Sequence, residues 1–308
     1  MTGPPAATAA VRTAVRRGLA GVEGPVGAAV SGGADSLALA AALGFERPGT
    51  VALVVDHGLQ ERSAEVAARA AEQCAGLGLS AHVLGPLAGV GGGGPEAAAR
   101  ELRYRLLSEA AARLDLAVVL LGHTLDDQAE TVLLGLARGS GARALAGMAV
   151  ARGIFRRPLL GVSRDTTAKA CAEAGLVPWD DPHNADPSYA RVRVRSRVLP
   201  VLEQQLGPGV AEALARSAAR LREDADALDA LTPELPDEPA VADLVALAPA
   251  LRSRALKVWA ERRCGRAVTS AHVDALRALV EDWHGQGPVA LPGGAVVRRA
   301  SGVLQATP

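Results

Sequence analysis

Residues 26–36 constrain this chain more than any other stretch: five small or β-branched apolar residues, Val26–Val30, run straight into Ser31-Gly32-Gly33-Ala34-Asp35-Ser36. An apolar run without alternation predicts a strand buried on both faces, as in a parallel sheet. A helix-compatible stretch over 37–43 follows at once. Two glycines let the backbone turn sharply and bring its N–H groups within reach of a ligand. The helix N-terminus adds free donors and a positive dipole end. Ser31 and Ser36 offer hydroxyls, and Asp35 can hold a divalent cation. A turn that merely joined strand to helix would need neither the acid nor the serines. The loop lacks the lysine of a Walker sequence and the Gly-x-Gly-x-x-Gly spacing of a dinucleotide site.

Ser-Gly-Gly-x-Asp-Ser after a first strand resembles the pyrophosphate loop of the N-type ATP pyrophosphatases. Those enzymes split ATP into AMP and pyrophosphate while activating a carbonyl-like oxygen. The resemblance implies an ATP site formed by Ser31, Gly32, Gly33, Ala34, Asp35 and Ser36.

Downstream, strand and helix patterns alternate. Strands are predicted over 51–55, 81–84, 117–121 and near 154–155, with helices over 64–77, 95–114, 126–137 and 164–174. Residues 89–94, with five glycines, read as a mobile loop. This predicts an α/β fold with a doubly wound parallel sheet and ligands at the carboxyl ends of its strands. From 191 the pattern turns helical. Proline-rich 232–239 reads as a linker, helices follow at 250–264 and 270–283, and 288–305, with Leu291-Pro-Gly-Gly294 inside, reads as a hairpin. The expected division is a catalytic domain over 1–190, a helical extension over 191–231, an acidic linker over 232–249 and a small C-terminal domain over 250–308.

A second cluster, Gly122-His123-Thr-Leu-Asp126-Asp127-Gln-Ala-Glu130-Thr131, follows the fourth strand, beside the first loop in the expected sheet. One acid suffices for an N-cap; two adjacent acids at a helix start call for the dipole or a cation to meet them. With Asp56-His57-Gly58-Leu59, Glu96, Arg100, Arg103-Tyr104, Arg138-Gly-Ser-Gly141, Arg157-Pro-Leu-Leu160, Asp180-Asp181, Asn184 and Arg191 through Pro200, the chain resembles the bacterial tRNA(Ile)-lysidine synthetases. The resemblance is dense over 22–225. It is thinner over 252–304, where Trp259, His272 and Leu291-Pro-Gly-Gly294 carry it as a tRNA-binding domain.

The resemblance implies an adenine nucleotide α-hydrolase-like fold and a ligase. Such an enzyme adenylates the C2 oxygen of the wobble cytidine in tRNA(Ile) with anticodon CAU; L-lysine then displaces AMP. Asp35 and Asp127 are expected on Mg²⁺, with Asp126 beside them, because a hard cation takes carboxylate and phosphate oxygens. Asp56, His57, Gly122 and His123 would border the nucleotide, although His57 as a structural loop cap is an equal alternative. Glu130 would hold the lysine ammonium and Arg138 its carboxylate; a Glu130–arginine ion pair without ligand is the competing picture. Glu96, Arg100 and Arg103 share a helix face, as a substrate contact or a surface ladder.

Arg191, Arg193, Arg195 and Arg197 would meet tRNA phosphates. Their period of two suggests a strand, whereas the resemblance implies a helix start. Val192 stands where the family usually has Asn.

Composition fits this reading. The chain has 308 residues, 49% of them hydrophobic and seven aromatic, so its cores must be built from Val, Leu and Ala. Net charge is zero, so no global basic field advertises nucleic acid. Locally, residues 191–222 carry seven arginines against two acids, 223–250 eight acids and no base, and 251–308 nine bases against four acids. Cys74, Cys171 and Cys264 are isolated, which supports neither a disulfide framework nor a zinc site and fits a reducing cytoplasm. The segment around Arg12, Arg16 and Arg17 is expected to be an amphipathic helix rather than a targeting signal, and no run is long enough to span a membrane. A homodimer is compatible with the sequence.

Two other readings make different demands on the chain. A tRNA-thiolating relative would need paired cysteines or an iron–sulfur site. A non-catalytic ATP-sensing module would need neither the acidic pair nor a basic C-terminal half.

Overall fold

Strand order rather than strand content locates the candidate site. A computed structural model of the protein describes residues 3–56, 58, 62–85 and 95–307, with side chains except at 95–99 and 183. The chain divides into two compact units, Met1–Arg222 and Glu223–Pro308.

In the first unit, β1 (Val26–Val30), β2 (Val51–Val55), β3 (Ser80–Leu84), β4 (Val118–Leu121), β5 (Ala151–Arg152) and β6 (Phe155–Arg156) form one sheet in the order β3-β2-β1-β4-β6-β5. All pairings are parallel except the β5–β6 edge. That antiparallel hairpin turns the fifth expected strand, near 154–155, into a pair. Ala28 lies between Ala52 and Leu120, and all five β1 residues are buried, as an uninterrupted apolar run predicts.

Side chains alternate across the sheet. Ala28, Val30, Val54 and Leu120 pack with α1 (Ala6–Gly18), α2 (Ala34–Glu46), α3 (Ser63–Gly76) and, later in the chain, α7 (Arg164–Glu173). Ala29, Leu53, Val119 and Leu121 meet α4 (Pro95–Arg113) on the other face. α1 is amphipathic as expected, burying Val11 and Val15. After β3 the chain crosses back over β1 to lay down β4, so the connections leaving β1 and β4 diverge. A crevice opens where such a sheet reverses order, at the carboxyl ends of those two strands.

Beyond β4 come α5 (Leu125–Ala137) and the single turn α6 (Ala142–Leu145), both before β5. After α7 the arginine-rich segment is α8 (Ala190–Arg193), continuing through a π-type turn over Val194–Val198 into α9 (Leu199–Leu206). The strand suggested by its period of two is therefore overturned. Val194 and Leu199, five apart across the π-type turn, both pack on Ala129 of α5, whereas an odd spacing in a strand would put them on opposite faces. Val192 is itself buried, which suits an apolar residue at that position. α10 (Val210–Ala230) follows.

The second unit holds α11 (Val241–Ala246), α12 (Pro249–Cys264) and α13 (Ser270–Glu281) with an antiparallel sheet of β7 (Val289–Ala290), β8 (Val296–Ala300) and β9 (Val303–Thr307). The expected hairpin closes around Leu291, whose N–H donates to Ala295 O at 2.7 Å, and β9 extends it. Trp259, Leu244, Leu256, Leu276, Val297 and Leu304 form the core. The stretch expected as an acidic linker is packed into this unit. Trp259 Nε1 donates to Asp237 O at 3.2 Å, Leu235 lies against the core, and Glu234 and Asp237 pair with Arg262 and Arg263 of α12. No helix among the described residues is long and apolar enough to cross a membrane.

Candidate active site

The loop after β1 is held by its own serines. Ser36 Oγ accepts from the Ser31 N–H at 3.1 Å and donates to Gly33 O at 2.9 Å, while the two hydroxyl oxygens lie 3.2 Å apart. Gly32 has φ +85°, a left-handed conformation that favours glycine. Its carbonyl accepts from Trp179 N at 2.9 Å, which ties the loop to the segment after α7. Gly33 is the N-cap of α2 and brings no capping side chain, so the first-turn N–H groups at Ala34 and Asp35 keep their donors for a ligand.

The second cluster meets the first through Gly122. A Cβ there would stand 3.2 Å from the carbonyl C and O of Asp35 and from Ser36 Cα, all backbone atoms. Only a residue without a side chain lets the end of β4 approach α2 this closely. Thr124 then caps α5: its N–H donates to Asp127 Oδ2 at 2.8 Å, and its hydroxyl accepts from Asp127 N at 3.4 Å. Asp127 thus has a capping oxygen, Oδ2, and a second oxygen, Oδ1, directed elsewhere.

That second oxygen meets a residue the motifs did not single out. Arg164, at the start of α7, donates from Nη2 to Asp127 Oδ1 at 2.8 Å and from Nη1 to Glu130 Oε1 at 3.2 Å. Its Nε lies 3.7 Å from Asp35 Oδ2, and its main-chain N–H donates to Asp126 Oδ2 at 2.7 Å. Thr167 Oγ1 donates to Asp35 Oδ1. The available signal was indirect: acids crowded at one crevice demand a cation, and an arginine opening the helix after the last parallel strand can reach it.

Burial pushes the Asp35 pKa above its ordinary value, with the Thr167 hydrogen bond and Arg164 opposing. Burial also works against the Asp127 carboxylate, yet Arg164 and the Thr124 N–H hold its pKa below the ordinary value. The pair therefore splits, one acid drawn toward protonation and its neighbour kept ionised.

Glu130 is fully buried and already engaged. Arg195 donates to both its oxygens at 2.7 and 3.2 Å, Arg164 to one, and Arg191 Nε lies 3.7 Å away. The ion-pair alternative describes this geometry; an incoming ammonium would have to displace three guanidiniums. Arg138 follows the last turn of α5, about 18 Å along the axis from Asp126 at ~1.5 Å per residue, so the fold does not gather it with the acids.

The four arginines expected on tRNA also part company. Arg191 and Arg195, four residues apart on one helical face, turn to Glu130. Arg193 Nη1 donates to the Pro187 and Ser188 carbonyls at 2.7 and 2.6 Å. Arg197 is exposed.

Asp56, at the end of β2, is buried and accepts from Gly58 N at 3.0 Å. His57 and the loop over 89–94 lie outside the described residues, as does the Glu96 side chain. His123 Nδ1 is buried and has no hydrogen-bond partner among the described residues. Burial, reinforced by Arg103, Arg157 and Arg100 and opposed by Asp127, holds the His123 pKa down to about 3. Arg157 Nη2 donates to the Tyr104 hydroxyl at 3.1 Å, and Tyr104 meets Phe155 edge-on at 5.0 Å.

The donor set fits a hard cation in one way. Among the described residues no cluster of three His, Cys, Asp or Glu could hold a metal by itself. Asp35 and Asp127 offer two carboxylates at one guanidinium, and phosphate oxygens of a nucleotide in the adjoining loop would complete the shell, the arrangement Mg²⁺ favours.

Residues 17–202 match the family model described as a PP-loop domain, and residues 240–304 match the TilS substrate binding domain. The tRNA(Ile)-lysidine synthase of Leifsonia xyli subsp. xyli is 54% identical over 88% of this chain and 86% of its own. That of Salinispora arenicola is 51% identical over 96% and 95%. Among solved structures, the U34-tRNA thiolase NcsA from Methanococcus maripaludis, with its [4Fe-4S] cluster, superposes with a TM-score of 0.58 at 20% identity, covering 70% of this chain and 80% of that one. That likeness concerns the fold alone. Cys74 and Cys171 are buried and Cys264 is isolated in the second unit, so the thiolation alternative gains no cysteine pair. With the pyrophosphate loop, the acidic helix start and near-complete alignment to curated relatives in agreement, the chain belongs to the tRNA(Ile)-lysidine synthase family.

Proposed function

We propose that this chain adenylates the C2 oxygen of the wobble cytidine of tRNA(Ile) with anticodon CAU and then joins L-lysine to that carbon. The observation that carries the reading is the meeting of Ser31–Ser36 and Asp126–Asp127 at the β1/β4 crevice, enforced by the Gly122 approach to Asp35. ATP use follows from the family.

In the first step the cytidine C2 oxygen attacks the α-phosphorus and pyrophosphate leaves. Ser31, Gly32, Gly33, Ala34 and Ser36 cradle the departing phosphates through main-chain N–H groups and hydroxyls. Asp35 and Asp127 would hold Mg²⁺, which neutralises the charge that accumulates on the leaving group. Asp126, bonded to the Arg164 N–H, secures the start of α7 beside them. Asp56 borders the nucleoside, as do Gly122 and His123. His123 stays neutral and presents an acceptor nitrogen.

In the second step an amine of lysine attacks C2 and AMP departs. Glu130 anchors Arg164, Arg191 and Arg195, so its part is to orient guanidiniums toward anionic groups. Arg138 remains a contact for the lysine carboxylate only if the amino acid enters from the far end of α5. Exposed Arg197 and the second unit would grip tRNA phosphates, with residues 1–190 carrying the chemistry, in a cytoplasmic enzyme.

Incubating the protein with Mg–ATP, labelled lysine and tRNA(Ile) bearing CAU tests this. Label should enter the tRNA and vanish when the wobble cytidine is replaced. ATP cleavage to AMP without lysine incorporation would remove the substrate assignment and leave the ATP site.

A further inference from the structure

Arg164 is the hub of the acidic site, and no motif placed it there. One guanidinium, with a side chain 26% exposed, meets carboxylates from two helices: Asp35 of α2 and Asp127 and Glu130 of α5. The contacts are unequal. Asp127 at 2.8 Å and Glu130 at 3.2 Å are within hydrogen-bond reach, whereas Asp35 at 3.7 Å is not. The acids also differ in other support. Glu130 has Arg195 and Arg191, and Asp127 has the Thr124 donors and Arg195 at 3.6 Å. Asp35 has the Thr167 hydroxyl and Arg164.

Carboxylates brought together in a partly buried crevice repel one another and disfavour ionisation unless a cation stands among them. A divalent cation on Asp35 and Asp127 would answer the same electrostatic demand at the same carboxylates. Two cations drawn to one pair of carboxylates compete.

We propose that Arg164 is a positioning residue that serves as the internal counter-cation of Asp35 and Asp127, holding both in place before Mg–ATP enters and yielding their shared edge to the metal. The loose Asp35 contact opens first, while the Glu130 bond keeps the guanidinium tethered nearby. This inference rests on the assignment of the metal to Asp35 and Asp127.

The sign of one measurement separates this role from a merely structural one. Removing a competing positive charge tightens binding of a cation, whereas disordering the site weakens it. Binding of Mn²⁺ alone to the full chain, read by electron paramagnetic resonance, should tighten about tenfold or more in Arg164→Gln, the scale on which one neighbouring charge shifts a carboxylate's own proton equilibrium. Arg164→Lys, which keeps the charge, should remain near the parent.

Parental or weaker Mn²⁺ affinity in Arg164→Gln overturns the proposal. If Asp35→Asn and Asp127→Asn lose Mn²⁺ binding in the same series, the metal assignment survives that failure. If neither aspartate variant changes Mn²⁺ binding, the metal assignment falls and this inference with it. A crystal structure of the unsubstituted protein with Mg²⁺ and a non-hydrolysable ATP analogue provides a test that needs no variant to fold. Arg164 should have left Asp35, and an unchanged contact with the metal on both acids overturns the proposal.

Discussion

Arg195 Nε donates to Glu130 Oε1 at 2.7 Å, and that bond joins the arginine-rich helical segment to the helix that opens with the acidic pair. The glutamate side chain has no exposed surface, whereas Arg195 retains 29% of its own. The two partners should therefore respond differently to removal. Glu130→Gln removes the buried anion that Arg164, Arg191 and Arg195 share, leaving Asp127 and Asp35 as the nearby carboxylates, and should cost about 3 kcal/mol of stability. Arg195→Gln leaves Glu130 two other guanidiniums and should cost clearly less. Thermal or urea unfolding of the pair checks the order; equal losses would mean that solvent screens the cluster.

Gly122→Ala tests the close approach of the two motifs. The added methyl would lie 3.2 Å from main-chain atoms of Asp35 and Ser36, so α2 must shift by a few tenths of an ångström. We expect a stability loss of about 1–3 kcal/mol, as for an overpacked core site, and weakened ATP binding by calorimetry. Unchanged affinity would separate the glycine from the nucleotide site.

Asp127→Asn and Asp35→Asn should both lower turnover by about 10²-fold or more, the scale of a removed charge-stabilising group. Asp127→Asn loses the ion pair to Arg164 but keeps a carbonyl oxygen for the Thr124 cap. Asp127→Ala loses both and should be less stable still, by about 1 kcal/mol. Melting curves beside initial rates distinguish the two roles of one side chain.

His123 makes a pH prediction. Its folded pKa is held down to about 3, below the ordinary histidine value of 6.5. The unfolded chain therefore takes up a proton that the folded chain refuses, and stability falls as pH drops from about 6.5 toward 3. The loss approaches ~1.4 kcal/mol per pH unit at most, reduced by the exposure this ring retains. His123→Gln should flatten the stability–pH profile below pH 6. A profile unchanged in slope would place the acid sensitivity in other groups.

Salt dependence sorts the arginines expected on RNA. Arg197, exposed, should take about one unit from the slope of log affinity against log salt when replaced by Ala. Arg193 is exposed as well, but its Nη1 is held by the Pro187 and Ser188 carbonyls, so its replacement should lower the slope by less. Filter binding with tRNA(Ile) across a salt series gives both slopes.

Local patterns made much of this legible. The apolar run of Val26–Val30 reads as a doubly buried strand because neither face can tolerate a polar residue, and every residue in it is buried. The strand–helix alternation carried the parallel sheet, and Thr124 through Asp127 marked a helix start that the capping box completes. Two-residue β5 was missed because so short a segment has no periodicity. The arginine segment was ambiguous because alternate charge fits a strand, until packing of Val194 and Leu199 on Ala129 made it helical. The 232–239 segment looked like a linker by composition, yet Asp237 O accepts from the Trp259 indole.

The sequence by itself determined which groups could meet a phosphate or a cation, since glycine spacing, hydroxyls and adjacent acids are properties of neighbours in the chain. Only the tertiary structure decided which charges neutralise one another. Arg164 lies 129 residues from Asp35 in the chain and meets it because β1, β4 and α7 converge at one crevice. Glu130, open in the sequence to either a ligand or an arginine pair, is enclosed by three arginines from two other segments. Coulomb energy depends on distance in space, and burial magnifies it; no spacing along the chain encodes either.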